Sequence, residues 1–211
     1  MMQLLDCYIP VFTCVLRMIQ QQVNQAETLR QAVLAELTQA QNRARLQGYG
    51  AQDIEEANFA VVVWADEAIL CAGQKELNIW RQSSLQAELY DAELGGNTFF
   101  DRLVALVPDN YQVRLVYVFC LLAGFYGRYG KRDNLELHNI IQQELDNLPD
   151  TLRDYLSLEN HRLMNRYDNK LENKLENKRA NNKWRRKLIL FMSSLTLIYI
   201  FLTVYLLSIG R

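Results

Sequence analysis

Over the first 165 positions apolar residues recur at intervals of three and four, the spacing that keeps them on one face of an α-helix. Leu4, Ile9, Phe12, Leu16, Ile19 and Val23 form the first stripe, and Pro10 is expected to kink that helix or delay its start. Leu29, Val33, Leu37, Ala40 and Ala44 form a second, from about Glu27 to Leu46, which Gly48-Tyr49-Gly50 stops. Together they predict an antiparallel hairpin. A third helix is expected to run to about Gly73, with Asp53 as its N-cap and Glu56 reaching back from the first turn. Its interior, AVVVWADEAILCA from Ala60 to Ala72, is apolar on nearly every face except at Asp66 and Glu67, the mark of a central helix. Burying an unpaired carboxylate is costly, so at least one of the two should meet an arginine or a set of backbone donors.

Beyond Trp80 a shorter pattern carries Leu85 and Leu89. Gly95-Gly96 is expected to break the chain before Asn97 or Thr98 caps a helix carrying Phe99, Phe100, Leu103, Leu106 and Val107. Pro108-Asp109-Asn110 reads as a turn. LVYVFCLLAGFY, Leu115 to Tyr126, is too short to cross a bilayer and predicts a buried core helix, closed by Gly127-Arg128-Tyr129-Gly130. Leu137, Ile140, Ile141, Leu145 and Leu148 mark one more amphipathic helix before Pro149. Strand-type alternation of useful length is absent, which makes the fold class all-α, with six to eight helices.

The end of the chain has another character. Leu188 to Ile209 is 22 residues without a formal charge, and at about 1.5 Å per residue it spans roughly 33 Å as a helix, enough for a hydrocarbon core of about 30 Å. Lys183, Trp184, Arg185, Arg186 and Lys187 precede it, and positive residues at a span stay on the cytoplasmic side. The expected layout is a cytoplasmic domain over 1–165, a basic, low-complexity tether over 166–187 containing DNKLENKLENK, a transmembrane helix over 188–209 and a two-residue extracytoplasmic tail, 210–211. No secretory signal stands at the N-terminus.

The net charge of -1 conceals an acidic body, with 13 Lys/Arg against 21 Asp/Glu up to Asn165, and a basic neck, with 9 against 3 from Arg166 to Lys187. An acidic body argues against nucleic-acid binding. Cys7, Cys14, Cys71 and Cys120 lack metal-site spacing and read as reduced core thiols. His138 and His161 stand in neither an HExxH nor a paired ExxH pattern. Asp66 and Glu67 point about 100° apart on a helix and cannot work on one substrate together. No catalytic, metal-binding or cofactor-binding set is expected.

Four stretches in order carry a resemblance: Ala65-Asp66-Glu67-Ala68; Trp80-Arg81 with Ser84-Leu85; Gly95-Gly96-Asn97-Thr98-Phe99-Phe100; and Cys120 to Tyr129, ending Gly124-Phe125-Tyr126-Gly127-Arg128-Tyr129. Together they resemble the DotU/IcmH/TssL family of bacterial secretion-system proteins, over about residues 5 to 150. The resemblance implies a non-enzymatic cytoplasmic domain of two packed helical bundles at the inner membrane. It implies a large inner-membrane partner of the IcmF/TssM type in a type VI or type IVB system, contacts with baseplate proteins in type VI members, and self-association. Tyr126 stands where many relatives carry a charge. Longer members have a further domain beyond the membrane, so this chain is not expected to bind peptidoglycan. In these motifs Gly95 and Gly96 are expected to permit a positive-φ turn, one of Phe99 and Phe100 to be buried, and Gly124 to allow close helix packing. Arg128 is the expected partner of Asp66 or Glu67, and Trp80 and Arg81 are expected at the surface, where partners could reach them. An adaptor of an unrelated membrane assembly and a membrane-bound hydrolase are the alternative readings.

Overall fold

The computed structural model describes residues 2–21, 25–72, 80, 84–92, 94–130 and 134–163. Arg81 and residues 164–211, which carry the expected tether, basic run and span, lie outside the described residues. The described elements are all helical: α1 (Leu4–Gln21), α2 (Ala26–Leu46), α3 (Ala51–Cys71), α4 (Leu85–Tyr90), α5 (Gly95–Ala105), α6 (Tyr111–Leu122), a 3-10 turn at Gly127–Tyr129, α7 (Leu135–Asp146) and α8 (150–163). Among the described residues no helix is long and apolar enough to cross a membrane.

α1 and α2 form the expected antiparallel pair. Arg43, near the end of α2, donates to the Cys7 carbonyl at 2.8 Å, near the start of α1. The buried face of α2 is the expected Leu29, Val33, Leu37, Ala40 and Ala44. That of α1 is wider than the expected stripe, whose last member, Val23, lies outside the described residues. Leu4, Leu5, Cys7, Tyr8, Val11, Phe12, Cys14 and Val15 are buried, while Ile9, Leu16 and Ile19 are only partly so. A helix packed against several neighbours buries a wider arc than a single stripe. Pro10 neither delays nor ends α1. Gln3 starts it, with its N–H donating to Asp6 Oδ2 at 2.8 Å.

α3 lies at the centre, with Ile54, Ala57 to Asp66 and Ile69 all buried. Val61, Val62 and Val63 favour strands by themselves, but burial among helices decides the outcome. Phe12 of α1 meets Trp64 of α3 at 4.3 Å and Phe119 of α6 at 4.8 Å between ring centroids. The start of α3 differs from expectation. Gly50 is the N-cap and Asp53 sits inside the first turn, where its carboxylate accepts from Asn110 Nδ2 at 2.7 Å. Asn110 in turn caps α6, accepting from Val113 N at 3.3 Å. Glu56 likewise turns away from its own helix start to accept from the Tyr117 hydroxyl at 3.1 Å.

α6 is the expected core helix, buried from Val113 to Leu121. It reaches α7 through an ion pair of Arg114 and Glu144, both buried. On α4, Leu85 is buried but Leu89 is 43% exposed. Asn134 caps α7, accepting from Glu136 N at 2.8 Å. α8 is tied back to α1, with Tyr155 donating to Asp6. The buried apolar side chains of α1 to α8 form one cluster.

Candidate functional site

Asp66 and Glu67 end the buried stretch of α3, and each takes backbone donors from a different element. Asp66, 2% exposed, accepts from Trp80 Nε1 at 2.7 Å and Leu85 N at 3.1 Å through Oδ1, and from Gln86 N at 2.8 Å through Oδ2. Leu85 and Gln86 open α4, whose N-cap Ser84 accepts from Ala87 N at 3.4 Å. The carboxylate thus satisfies two amides that a helix start leaves without intrahelical partners, and a negative charge suits that end of a helix. Glu67 accepts from Tyr126 N at 2.8 Å and Gly127 N at 2.9 Å, one bond on each oxygen. It holds the turn after α6.

Burial raises the carboxyl pKa of both residues, and the backbone and indole donors oppose that rise without overcoming it. The expected set of backbone donors is present. The expected pairing with Arg128 is not: Arg128 pairs with Asp101 at 3.0 Å, both well exposed, and lies over the rings of Phe100 and Tyr129 at 5.1 and 5.4 Å, while the arginine whose charge favours the Asp66 carboxylate is Arg30. Backbone amides fit a buried carboxylate without the desolvation of a second charge.

The other motif residues close onto the same place. A methyl on Gly95 would fall 2.1 Å from Gln86 Oε1, and one on Gly96 would fall 3.2 Å from the Cα of Gly127. Neither glycine has a positive φ, and α5 begins at Gly95, ahead of the expected Asn97 or Thr98. Gly96 is needed for close approach to the Gly127 backbone, whereas at Gly95 the nearest atoms are the flexible end of Gln86, with Val63 Cγ2 at 3.1 Å behind it. The reverse holds for Gly124, whose φ is +96° with open space where a side chain would be; it turns the chain out of α6 rather than packing helices. Gly127 needs both, with φ +46° and a Cβ position 2.9 Å from the Gly96 carbonyl oxygen. Phe99 and Phe100 are both buried. Phe99 lies 4.3 Å from Phe125, and Phe100 meets Tyr129 edge-on at 4.9 Å.

Trp80, expected at the surface, is 2% exposed. Its indole N–H needs a buried acceptor and Asp66 supplies one. Arg30 lies over its ring at 5.6 Å. Gln86 carried no sequence signal, and although Phe125, Tyr126 and Gly127 stand in the fourth motif, nothing there marked the Tyr126 and Gly127 amides as the donors to Glu67. Cys7, Cys14 and Cys120 are buried free thiols, but Cys71 is exposed and its sulfur lies 3.0 Å from the Tyr126 hydroxyl, which pushes that phenol's pKa up to about 12.

Among the described residues no three His, Cys, Asp or Glu side chains gather as a metal set. His138 and His161 are exposed on α7 and α8. A groove of about 450 Å³ between the α5–α6 connection and α7 is lined by Val104, Pro108, Tyr111, Arg114 and Glu144 among others. Its two charged groups are already paired with each other.

In the described, all-helical body the charged motif residues fasten helix and turn ends to one another. The chain belongs to the family of the type VI secretion system protein DotU, whose model matches residues 3–208, and it is a type VI secretion system component. Of the two systems the resemblance left open, the family's description names type VI. Among solved structures, the cytoplasmic domain of TssL from Acinetobacter baumannii is 26% identical, with a TM-score of 0.62 over 74% of this chain and 99% of that one. SciP/TssL from enteroaggregative Escherichia coli 042 shares the fold, at 20% identity and a TM-score of 0.56 over 69% of this chain and 88% of that one. Comparison with curated proteins finds no match.

Proposed function

We propose that this chain is a non-enzymatic, tail-anchored scaffold of the inner membrane. Residues 1–165 are its cytoplasmic domain, arranged as two packed bundles, 166–187 the tether, 188–209 the span and 210–211 the extracytoplasmic tail. The domain binds a large inner-membrane protein of the IcmF/TssM type, links the membrane complex to cytoplasmic components including the baseplate, and self-associates. The observation that carries this reading is the order of features after the helical body: a basic run, Lys183 to Lys187, directly ahead of 22 uncharged residues, within a chain matched by the DotU model. The Acinetobacter domain described as cytoplasmic aligns with 74% of the chain, and this supports placing the body on the cytoplasmic side.

Mild detergent extraction of the tagged chain tests it. An IcmF/TssM-type protein should be recovered in stable stoichiometric amount, and protease added to intact spheroplasts should leave the body uncut until lysis. Cleavage of the body in intact spheroplasts reverses the orientation. Recovery of the chain alone from membranes that contain the large protein removes the scaffold role.

A further inference from the structure

α4 is the least self-sufficient of the described helices. Six residues cannot hold a helix in water by themselves, and Leu85 is the one buried residue among them. The remaining attachments come from other elements. Asp66 takes the first two amides, Arg30 of α2 pairs with Glu88, and Tyr90 sets its ring edge-on to Phe59 at 5.1 Å. The Tyr90 hydroxyl accepts from Asn58 Nδ2 at 2.6 Å, yet Asn58 Oδ1 is buried without a hydrogen-bond partner among the described residues. At the far end Asp91 has φ 51°, the one positive φ among described non-glycine residues, a strained conformation for an L side chain. α3 beneath it, by contrast, is buried along most of its length.

We propose that Ser84–Ala92 is a strap that opens from α3 as a unit, well before the body unfolds, with the Asp66 carboxylate as its latch. Segments with few buried apolar contacts and their own local hydrogen bonds open sub-globally. The strap fits that description, since its internal bonds, Glu88 N to Ser84 O, Asp91 N to Ala87 O and Ala92 N to Gln86 O, all close within it. Opening strips Asn58 and Asp66 of their α4 partners. Eight residues apart, the two lie on one face of α3, so the strap sets whether that polar-edged strip is covered. This does not depend on which partner the body binds.

Hydrogen exchange on the full chain in detergent, read by mass spectrometry, tests the strap. Amides of Glu88, Asp91 and Ala92 should exchange at least ~100-fold faster than the buried amides of α3 and α6. Tyr90→Phe keeps the ring on Phe59 and removes the hydroxyl; it should speed the strap by about 3- to 10-fold and α3 and α6 by no more than that, so the gap between them persists. Asp66→Asn should act more strongly at the same amides, about 10-fold or more. Should Asp66→Asn unfold the chain, Tyr90→Phe carries the test alone. Strap amides that exchange as slowly as those of α3 and α6, or a Tyr90→Phe variant that leaves the strap rate unchanged, would overturn the proposal.

Discussion

Along Phe59–Ala65, α3 meets its neighbours through apolar side chains, with Trp64, Phe12 and Phe119 ring against ring. Directly after it, Asp66 and Glu67 replace that contact with carboxylates that grip the amides of α4 and of the turn after α6. The first region is held by area removed from water, which has no direction. The second is held by bonds that do, and these set where two short elements sit. Damage to the first should leave a cavity, whereas damage to the second should leave donors without acceptors. The resemblance motifs fall in the second region because a carboxylate serving two given amides, or a glycine meeting a glycine, tolerates few substitutes.

The apolar region should show the largest single loss. Phe119→Ala, at a fully buried position, should cost about 3–5 kcal/mol in chemical unfolding. A loss no larger than that of the glycine change would mean that α6 packs loosely. In the motif region Gly127→Ala should cost about 1–3 kcal/mol, because its Cβ meets the Gly96 carbonyl and two phenyl rings at 3.0 Å or less and its φ is positive. A neutral result would remove close approach as the reason for glycine there.

A smaller effect sharpens the role of burial. The pKa of Asp66 is raised in the folded chain from its ordinary 3.8, so the folded state binds more protons than the unfolded one between those two values. Its contribution to stability is therefore greatest below the ordinary value and declines as pH rises through the folded one. The stability margin of the native chain over Asp66→Asn should narrow with rising pH across that window. Widening would mean that the three donors outweigh burial. Smallest of all, Arg128→Ala breaks an exposed pair and should cost less than about 0.5 kcal/mol. A larger loss would restore Arg128 to the structural role expected of it from the sequence.

The helices were legible because periodicity reports burial. The face of α2 matches residue for residue, and the buried stretch of α6 was visible as an apolar run. α1 was read too narrowly because a helix enclosed on several sides buries more than one stripe. The paired carboxylates were legible as a demand for partners, but the partners were not. Backbone amides occur at every residue, so nothing in the sequence singles out Tyr126 and Gly127 as donors, and an arginine nearby in the motif was the more visible choice. Trp80 was misplaced for the same reason, since its acceptor lies 14 residues away in the chain. The glycines were recognisable as special, but sequence does not separate a residue that needs positive φ, such as Gly124, from one that needs room, such as Gly96.

The claim on which the rest depends is that Asp66 and Glu67 build the fold rather than face a substrate or partner. Thermal and urea unfolding of the Asp66→Ala and Glu67→Ala chains tests it most directly. Losing three buried bonds at Asp66 should lower stability by about 3 kcal/mol, and losing two at the less buried Glu67 by about 2 kcal/mol. Because they serve separate elements, the double variant should show nearly the sum. Unchanged unfolding curves for both single variants, together with loss of the large membrane partner, would contradict the account and make the pair a recognition site.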